Sequence, residues 1–203
     1  MHKKGKMVWC RLQVFLLGDK TMLVKNEGGF QRGQVLATGY NVGYMYIARV
    51  EEIMSILPMT AAHKICEMSG WTATHLSVQK ILYFANMFYV GENKGQPLFE
   101  EHFEAWMYGP VLPSLYDALK MFGADPIQNI FNKPLIISED MNCFLESIGG
   151  ALLKRTAVDL VTLTHHKNGA WAKNYVPYSN TRIPHIDVWN EYREFDEKYR
   201  CTA

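Results

Sequence analysis

The chain lacks the sequence patterns that announce most familiar chemistries. Its four cysteines, Cys10, Cys66, Cys143 and Cys201, lie far apart and none stands at C-x-x-C spacing. Neither a zinc ribbon nor a dithiol redox motif is therefore written here. Cysteines so dispersed, in a chain without a convincing signal peptide, fit reduced thiols and a cytoplasmic location. No apolar run approaches the roughly 18 residues that mark a membrane span. There is no G-x-S-x-G, no Walker A loop, no G-x-G-x-x-G and no H-E-x-x-H, so the strongest hydrolase, nucleotide and zinc-protease signatures are missing and no cofactor is implied. Net charge is nearly absent too: 21 Lys and Arg against 20 Asp and Glu leave +1. Whole-chain electrostatics thus make no case for nucleic acid or an anionic membrane.

The charge is unevenly placed. Residues 1–50 hold eight Lys and Arg against two Asp and Glu, whereas the remainder holds 13 against 18. A basic leading segment precedes a mildly acidic domain. Lys3, Lys4 and Lys6 before Val8–Leu17 mimic a signal peptide, but Arg11 and Gln13 interrupt the apolar run and no small-residue cleavage site follows. From Gly28 to Gly43 the chain is rich in glycine and poor in clustered large apolar residues, with a loose hairpin the most it can make. Residues 1–58 therefore read as a poorly structured basic extension and 59–203 as the folded domain. Met54 and Met59 both precede that domain, so an upstream extension of the reading frame is one account of the leading segment.

What is present is concentrated in Leu76–Tyr116. Val78, Ile81, Leu82, Ala85, Phe88 and Tyr89 follow a 3.6-residue period, and Tyr83, Phe84 and Met87 widen the stripe until little polar surface is left. A helix apolar on most sides is buried on most sides, so this is the expected central helix, with Gly91 as its stop. Leu98–Met107 reads as a short edge strand, Tyr108-Gly109-Pro110 as a bend, and Pro113 as the first residue of a helix that ends at Gly123. Upstream, Thr60–Ser69 forms a short helix with a small apolar face. Downstream, Ser138 caps a helix in which Gly149-Gly150 predicts a kink or early stop. Thr156-Ala157-Val158-Asp159 is a capping box. Trp171–Thr181 looks irregular, and Pro184 starts a last amphipathic helix carrying Val188, Tyr192, Phe195 and Tyr199. The fold class is mainly α, in the α+β sense: a compact helical domain with a small extended element after the central helix.

The wording of these segments resembles a known family. Val78-Gln79-Lys80-Ile81-Leu82-Tyr83-Phe84, and then Phe103-Glu104-Ala105-Trp106-Met107-Tyr108-Gly109-Pro110-Val111-Leu112-Pro113 with Tyr116, are similar to the signature of the phage-associated GepA/SocA-like family, the Panacea domain. Leu160, Leu163, Thr164, His165 and Trp171 resemble its ending, with Ala170 where the pattern carries proline. The resemblance spans about Met59 to Tyr199. It implies an antitoxin that neutralises a cognate toxin protein, encoded nearby, by direct contact, with a cellular protease as a further partner in the manner of a proteolysis adaptor. Residue chemistry, apart from the resemblance, reads as non-enzymatic, with no cofactor and no metal.

Weighed residue by residue, the candidate contact or signature positions are Lys80, Tyr83, Glu104, Trp106, Tyr108, Gly109, Pro110, Pro113, Tyr116, Thr164, His165 and Trp171. Trp106, Tyr108 and Tyr116 are the expected contacts, with Lys80 and Glu104 as a polar pair holding their corner. The aromatic group fits a protein interface and a core equally well. His165 at a helix end is expected to bond free carbonyls. Adjacent His165 and His166 diverge by about 100° on a helix and do not share one ion easily. Two other classes stay open: an enzyme using Glu104 and His165, since a carboxylate among aromatics can act as an acid or base, and a nucleic-acid binder using residues 1–50.

Overall fold

The computed structural model describes residues 12–17 and 21–26 as backbone, and residues 55–131 and 137–200, the last three again as backbone. The glycine-rich stretch 28–43 and Met54 lie outside these residues. Strands β1 (Leu12–Leu17) and β2 (Thr21–Asn26) pair antiparallel in register from Leu12 opposite Asn26 to Leu17 opposite Thr21. Two apolar runs separated by Gly18-Asp19-Lys20 are a hairpin pattern that the composition of the whole segment hides.

Helix α1 (Pro58–Met68) starts on a proline at its first position and turns its small face, Ala61, Ala62, Ile65 and Cys66, inward. Helix α2 (His75–Glu92) follows, capped by the Thr74 side chain accepting from the Ser77 N–H. It buries 12 of its 18 residues, so it is the central helix, packed by α1 and by every larger element described below. Burial of side chains such as Ile81, Leu82 and Phe88 contributes about 1.5–3 kcal/mol each. Gly91 does not stop α2. The helix runs on to Glu92, and Gly91 is small because the Tyr192 ring lies against its Cα.

The extended element is shorter than expected and differently placed. Only Glu104–Trp106 forms strand β3, and it sits in the middle of a three-stranded antiparallel sheet rather than at an edge. One neighbour is β4 (Gly109–Val111), reached through the two-residue turn Met107-Tyr108, with Trp106 opposite Gly109. The other is β5 (Thr181–Arg182), which arrives from 75 residues later and therefore leaves no local trace in the sequence. Pro110 lies on the edge strand β4, where a missing N–H is tolerated.

Helix α3 (Pro113–Leu119) begins on its proline, as expected. Helix α4 (Glu139–Leu152) is capped by Ser138 and runs through Gly149-Gly150 without stopping. A Cβ on Gly149 would come within 2.8 Å of Met68 Cε and 3.1 Å of Ile65 Cδ1, so this glycine lets α1 and α4 approach closely. Helix α5 (Ala157–Thr164) carries the full capping box, with Thr156 and Asp159 each bonding the other's backbone N–H. The segment after it is not irregular: Ala170–Asn174 forms the short helix α6, with Gly169 as its N-cap. Helix α7 (His185–Arg200) then closes the domain against α2, with Phe88 edge-on to Tyr192 and Phe195 at 6.2 and 5.5 Å. No helix among the described residues is long and apolar enough to cross a membrane.

Candidate functional site

Two of the signature segments, more than fifty residues apart in the chain, meet at one corner. Its floor is Lys80, whose side chain is 0% exposed. The Lys80 ammonium donates to the Pro110 carbonyl at 2.8 Å. Gly109, at φ +96°, lies directly on this contact: a Cβ there would fall 2.7 Å from Thr164 Oγ1 and 2.9 Å from Lys80 Cε. Glycine is thus required twice over, by the left-handed backbone and by the close approach. One residue back on α2, Gln79 fixes the next stretch of chain. Its Nε2 donates to the Leu112 carbonyl at 3.1 Å and its Oε1 accepts from the Leu112 N–H at 2.8 Å. The hairpin β3–β4 is therefore bolted onto the central helix through backbone groups.

Aromatic rings surround the floor. Trp106 packs on Tyr116 at 4.7 Å, and Tyr116 on the His75 ring at 5.8 Å. On the other side the Trp171 indole N–H donates to the Trp106 carbonyl at 2.8 Å. His165 stacks on Trp171 at 3.7 Å with planes 11° apart, and Tyr175 stacks beyond it at 4.7 Å. His165 is the C-cap of α5, but its ring stacks rather than bonding the terminal carbonyls. The expected Lys80–Glu104 pair is not made. Glu104 instead accepts from the Trp106 indole N–H at 2.8 Å, two residues along its own strand. Side chains two apart on a strand share a face, so the nearer partner wins.

The electrostatics of the corner are unusual for a buried cluster. Among the described residues no carboxylate lies within ion-pair distance of Lys80. Burial pushes its ammonium down to about 7. His165 and His75 are both held below the ordinary histidine value, by burial first and by the nearby Lys80 charge second. His165 Nε2 and His75 Nδ1 are buried without a hydrogen-bond partner. Three nitrogen bases thus share one enclosed place, and the fold holds them towards their neutral forms. Lys80 is too enclosed to meet a substrate, and no hydrogen bond joins Glu104 to His165. No group of three or more His, Cys, Asp or Glu among the described residues could hold a metal ion.

The remaining candidates separate by exposure. Tyr108 is 61% exposed and its neighbour Met107 66%, together forming the tip of the hairpin. Pro113 only starts α3. Tyr83 belongs to a second buried cluster: its hydroxyl donates to Glu191, which also accepts the Ala170 N–H at 3.0 Å. Burial, then the Glu191 charge, raises the Tyr83 hydroxyl well above its usual range, and burial raises the Glu191 carboxyl. The residue at 170 that departs from the family's proline therefore supplies a donor that proline lacks.

Gln79, His75 and Glu191 were not singled out from sequence. Gln79 and Glu191 each left a signal, a polar side chain on an otherwise buried helical stripe: Gln79 one turn before Tyr83, and Glu191 between Val188 and Tyr192. His75 left none.

Comparison with known proteins agrees with the signature. Residues 78–172 match the family described as antitoxin SocA-like, Panacea domain. The chain is similar to the protein named Antitoxin SocA from Caulobacter vibrioides (strain NA1000 / CB15N), 31% identical over 109 residues, which is 48% of this chain. The matched part covers 57% of that relative, so the chain spans little more than half its length. No solved structure matches. Residues 78–172, which gather Lys80, Trp106, Gly109, Thr164, His165 and Trp171 at one corner, are thus the part of the chain that is similar to the SocA-like, Panacea-domain family.

Proposed function

We propose that this protein is an antitoxin that neutralises a toxin protein by direct contact, and that the contact is made by the tip of the β3–β4 hairpin and the aromatic surface behind it. The observation that carries this reading is the exposure of Met107 and Tyr108 on a hairpin whose backbone is anchored from below by Lys80 and Gln79. Large apolar side chains held out on a rigid support suit an interface, because little conformational entropy is lost on binding. Val176 and Tyr178, also exposed, follow in the segment between α6 and β5, two elements that pack on β3. The mildly acidic domain suits a basic toxin surface. Trp106, Tyr116 and Trp171 serve as the supports of the patch and contribute their half-exposed edges. The proposed role is binding, and Lys80, sealed from solvent, supports the hairpin. Delivery of the bound toxin to a protease is a further step of the same proposal.

The test is a growth assay. Each gene flanking this one is expressed under tight control, with and without this chain. One neighbour is expected to arrest growth and this chain to restore it. The double variant Met107→Ala/Tyr108→Ala is expected to fold as before and to lose the rescue. If no neighbour is toxic, or if the double variant rescues as well as the parent, the reading falls.

A further inference from the structure

A second site lies away from the hairpin. The C-terminal ends of α1 and α4, the start of α2 and the first turns of α5 leave a cleft of about 460 Å³ between them. Its lining mixes the part-exposed Met68 and Leu153 with Ser69, Thr72 and Ser77, over a base in which Ile81 and Leu160 are fully buried. Its rim carries Lys154 and Arg155, for which no ion pair is made among the described residues. The nearest acid in sequence, Asp159, is already engaged by the Thr156 backbone and hydroxyl in the capping box. Cations just past a helix C-terminus have an ordinary explanation, because they complement its dipole. Gly150 has no such explanation.

Gly150 sits in the last turn of α4 with ordinary helical backbone, and it lines the cleft. A Cβ added there would meet nothing within 4 Å. Its neighbour Gly149 is required by the packing of α1; Gly150 is required by nothing inside the molecule. A glycine in a helix weakens it relative to alanine, and here that weakness leaves open space at the mouth of a cleft. Glycine in such a place lets another backbone come close.

We infer that this cleft binds an acidic peptide segment of a protein partner, one apolar side chain resting against Met68 and Leu153, its flanking carboxylates meeting Lys154 and Arg155, and its backbone passing over Gly150. The volume is that of a small-ligand site, but no aromatic ring lines it, so a nucleotide base has nothing to stack on. Cations beside the part-exposed Met68 and Leu153 select a peptide carrying both a carboxylate and an aliphatic anchor. None of the hairpin-corner residues lines the cleft, so this inference stands apart from toxin neutralisation.

The probe is a fluorescein-labelled octapeptide of Asp and Glu with a central Leu, read by anisotropy on the full chain. The matched Lys octapeptide and free succinate serve as controls. Saturable binding of the acidic peptide is expected, with the Lys peptide and succinate inert. Gly150→Ala is expected to raise Tm by about 2–4 °C, the size for a chain this long, while weakening the peptide at least tenfold. Stabilisation with loss of binding is a combination that simple damage to the fold does not give. Lys154→Glu with Arg155→Glu is expected to abolish binding with Tm lowered by only a few degrees, the loss of their dipole complement. Absence of acidic-peptide binding at millimolar concentration, equal binding of the Lys peptide, displacement by succinate, or unchanged affinity in Gly150→Ala would each overturn the proposal.

Discussion

Two polar clusters are buried beside the same central helix, and they are built on opposite terms. Around Glu191 the carboxylate receives the Tyr83 hydroxyl and the Ala170 N–H, tying α2, α6 and α7 together. Around Lys80 the matching is partial. One carbonyl takes the ammonium, no carboxylate answers it, and two imidazole nitrogens nearby have no partner. A satisfied buried network stabilises and specifies one packing, whereas a partly satisfied one carries a standing cost. The first cluster is therefore a structural tie. The second holds up the hairpin at the family's signature corner and is the place where stability has been given up.

The comparison breaks most sharply at Glu191. Glu191→Ala leaves the Tyr83 hydroxyl and the Ala170 N–H buried and unpaired at about 1–3 kcal/mol each, so a loss of about 4 kcal/mol is expected by urea denaturation. Glu191→Gln, which keeps one acceptor, should lose clearly less. A loss below 1 kcal/mol for the alanine variant would mean that the tie is not one.

The Lys80 corner is read by pH. The Lys80 value is about 7 in the fold against 10.5 when unperturbed. Between those values the unfolded chain binds more protons than the folded one, so stability rises with pH. Wild type is expected to gain about 1 kcal/mol between pH 7.5 and 9, and Lys80→Met to lose about 0.5 kcal/mol, because burial holds the Cys66 thiol up at about 12 and Glu92 at about 7. Below neutral the trend is mixed. Glu92, raised by burial to about 7, favours the fold as pH falls towards 4.5. His75 and His165, held below 6.5, oppose it. Above pH 7 Lys80 makes the largest contribution and Cys66 opposes it, so the difference between wild type and Lys80→Met isolates the lysine. A flat wild-type profile there would place a counter-charge beside the ammonium.

A finer probe is Ala170→Pro. Gly169 has φ −65° and ψ 161°, backbone that a following proline accepts, and position 170 is the first of a helix. The only expected loss is the bond to Glu191, about 1 kcal/mol. The smallest effect on stability belongs to Met107→Ala and Tyr108→Ala, within about 0.5 kcal/mol of wild type by thermal denaturation. A larger change would make the hairpin tip part of the core instead of a free surface.

How much of this was legible in the chain follows from how local each feature is. The central helix, the caps at Ser138 and Thr156 and the proline start of α3 are written within a few residues, and all are found. Glycine was the least legible residue. Gly91 and Gly149 read as stops, yet both lie inside helices because Tyr192 and Met68 need the room. Their meaning sits on another element. The same holds for β3, whose second neighbour comes from Thr181–Arg182, and for Lys80, whose expected partner Glu104 was taken by the indole two residues away.

The sequence by itself determined the long helices, their capped starts and the likeness to the family, because periodicity, capping and motif wording depend on residues close together in the chain. Only the tertiary structure decided that Lys80 faces a carbonyl with no acid beside it, that Tyr83 and Glu191 are partners, and that Met107 and Tyr108 point outward. Those outcomes depend on which elements meet, and the meeting is set by the burial of whole apolar faces, which no short stretch of residues records.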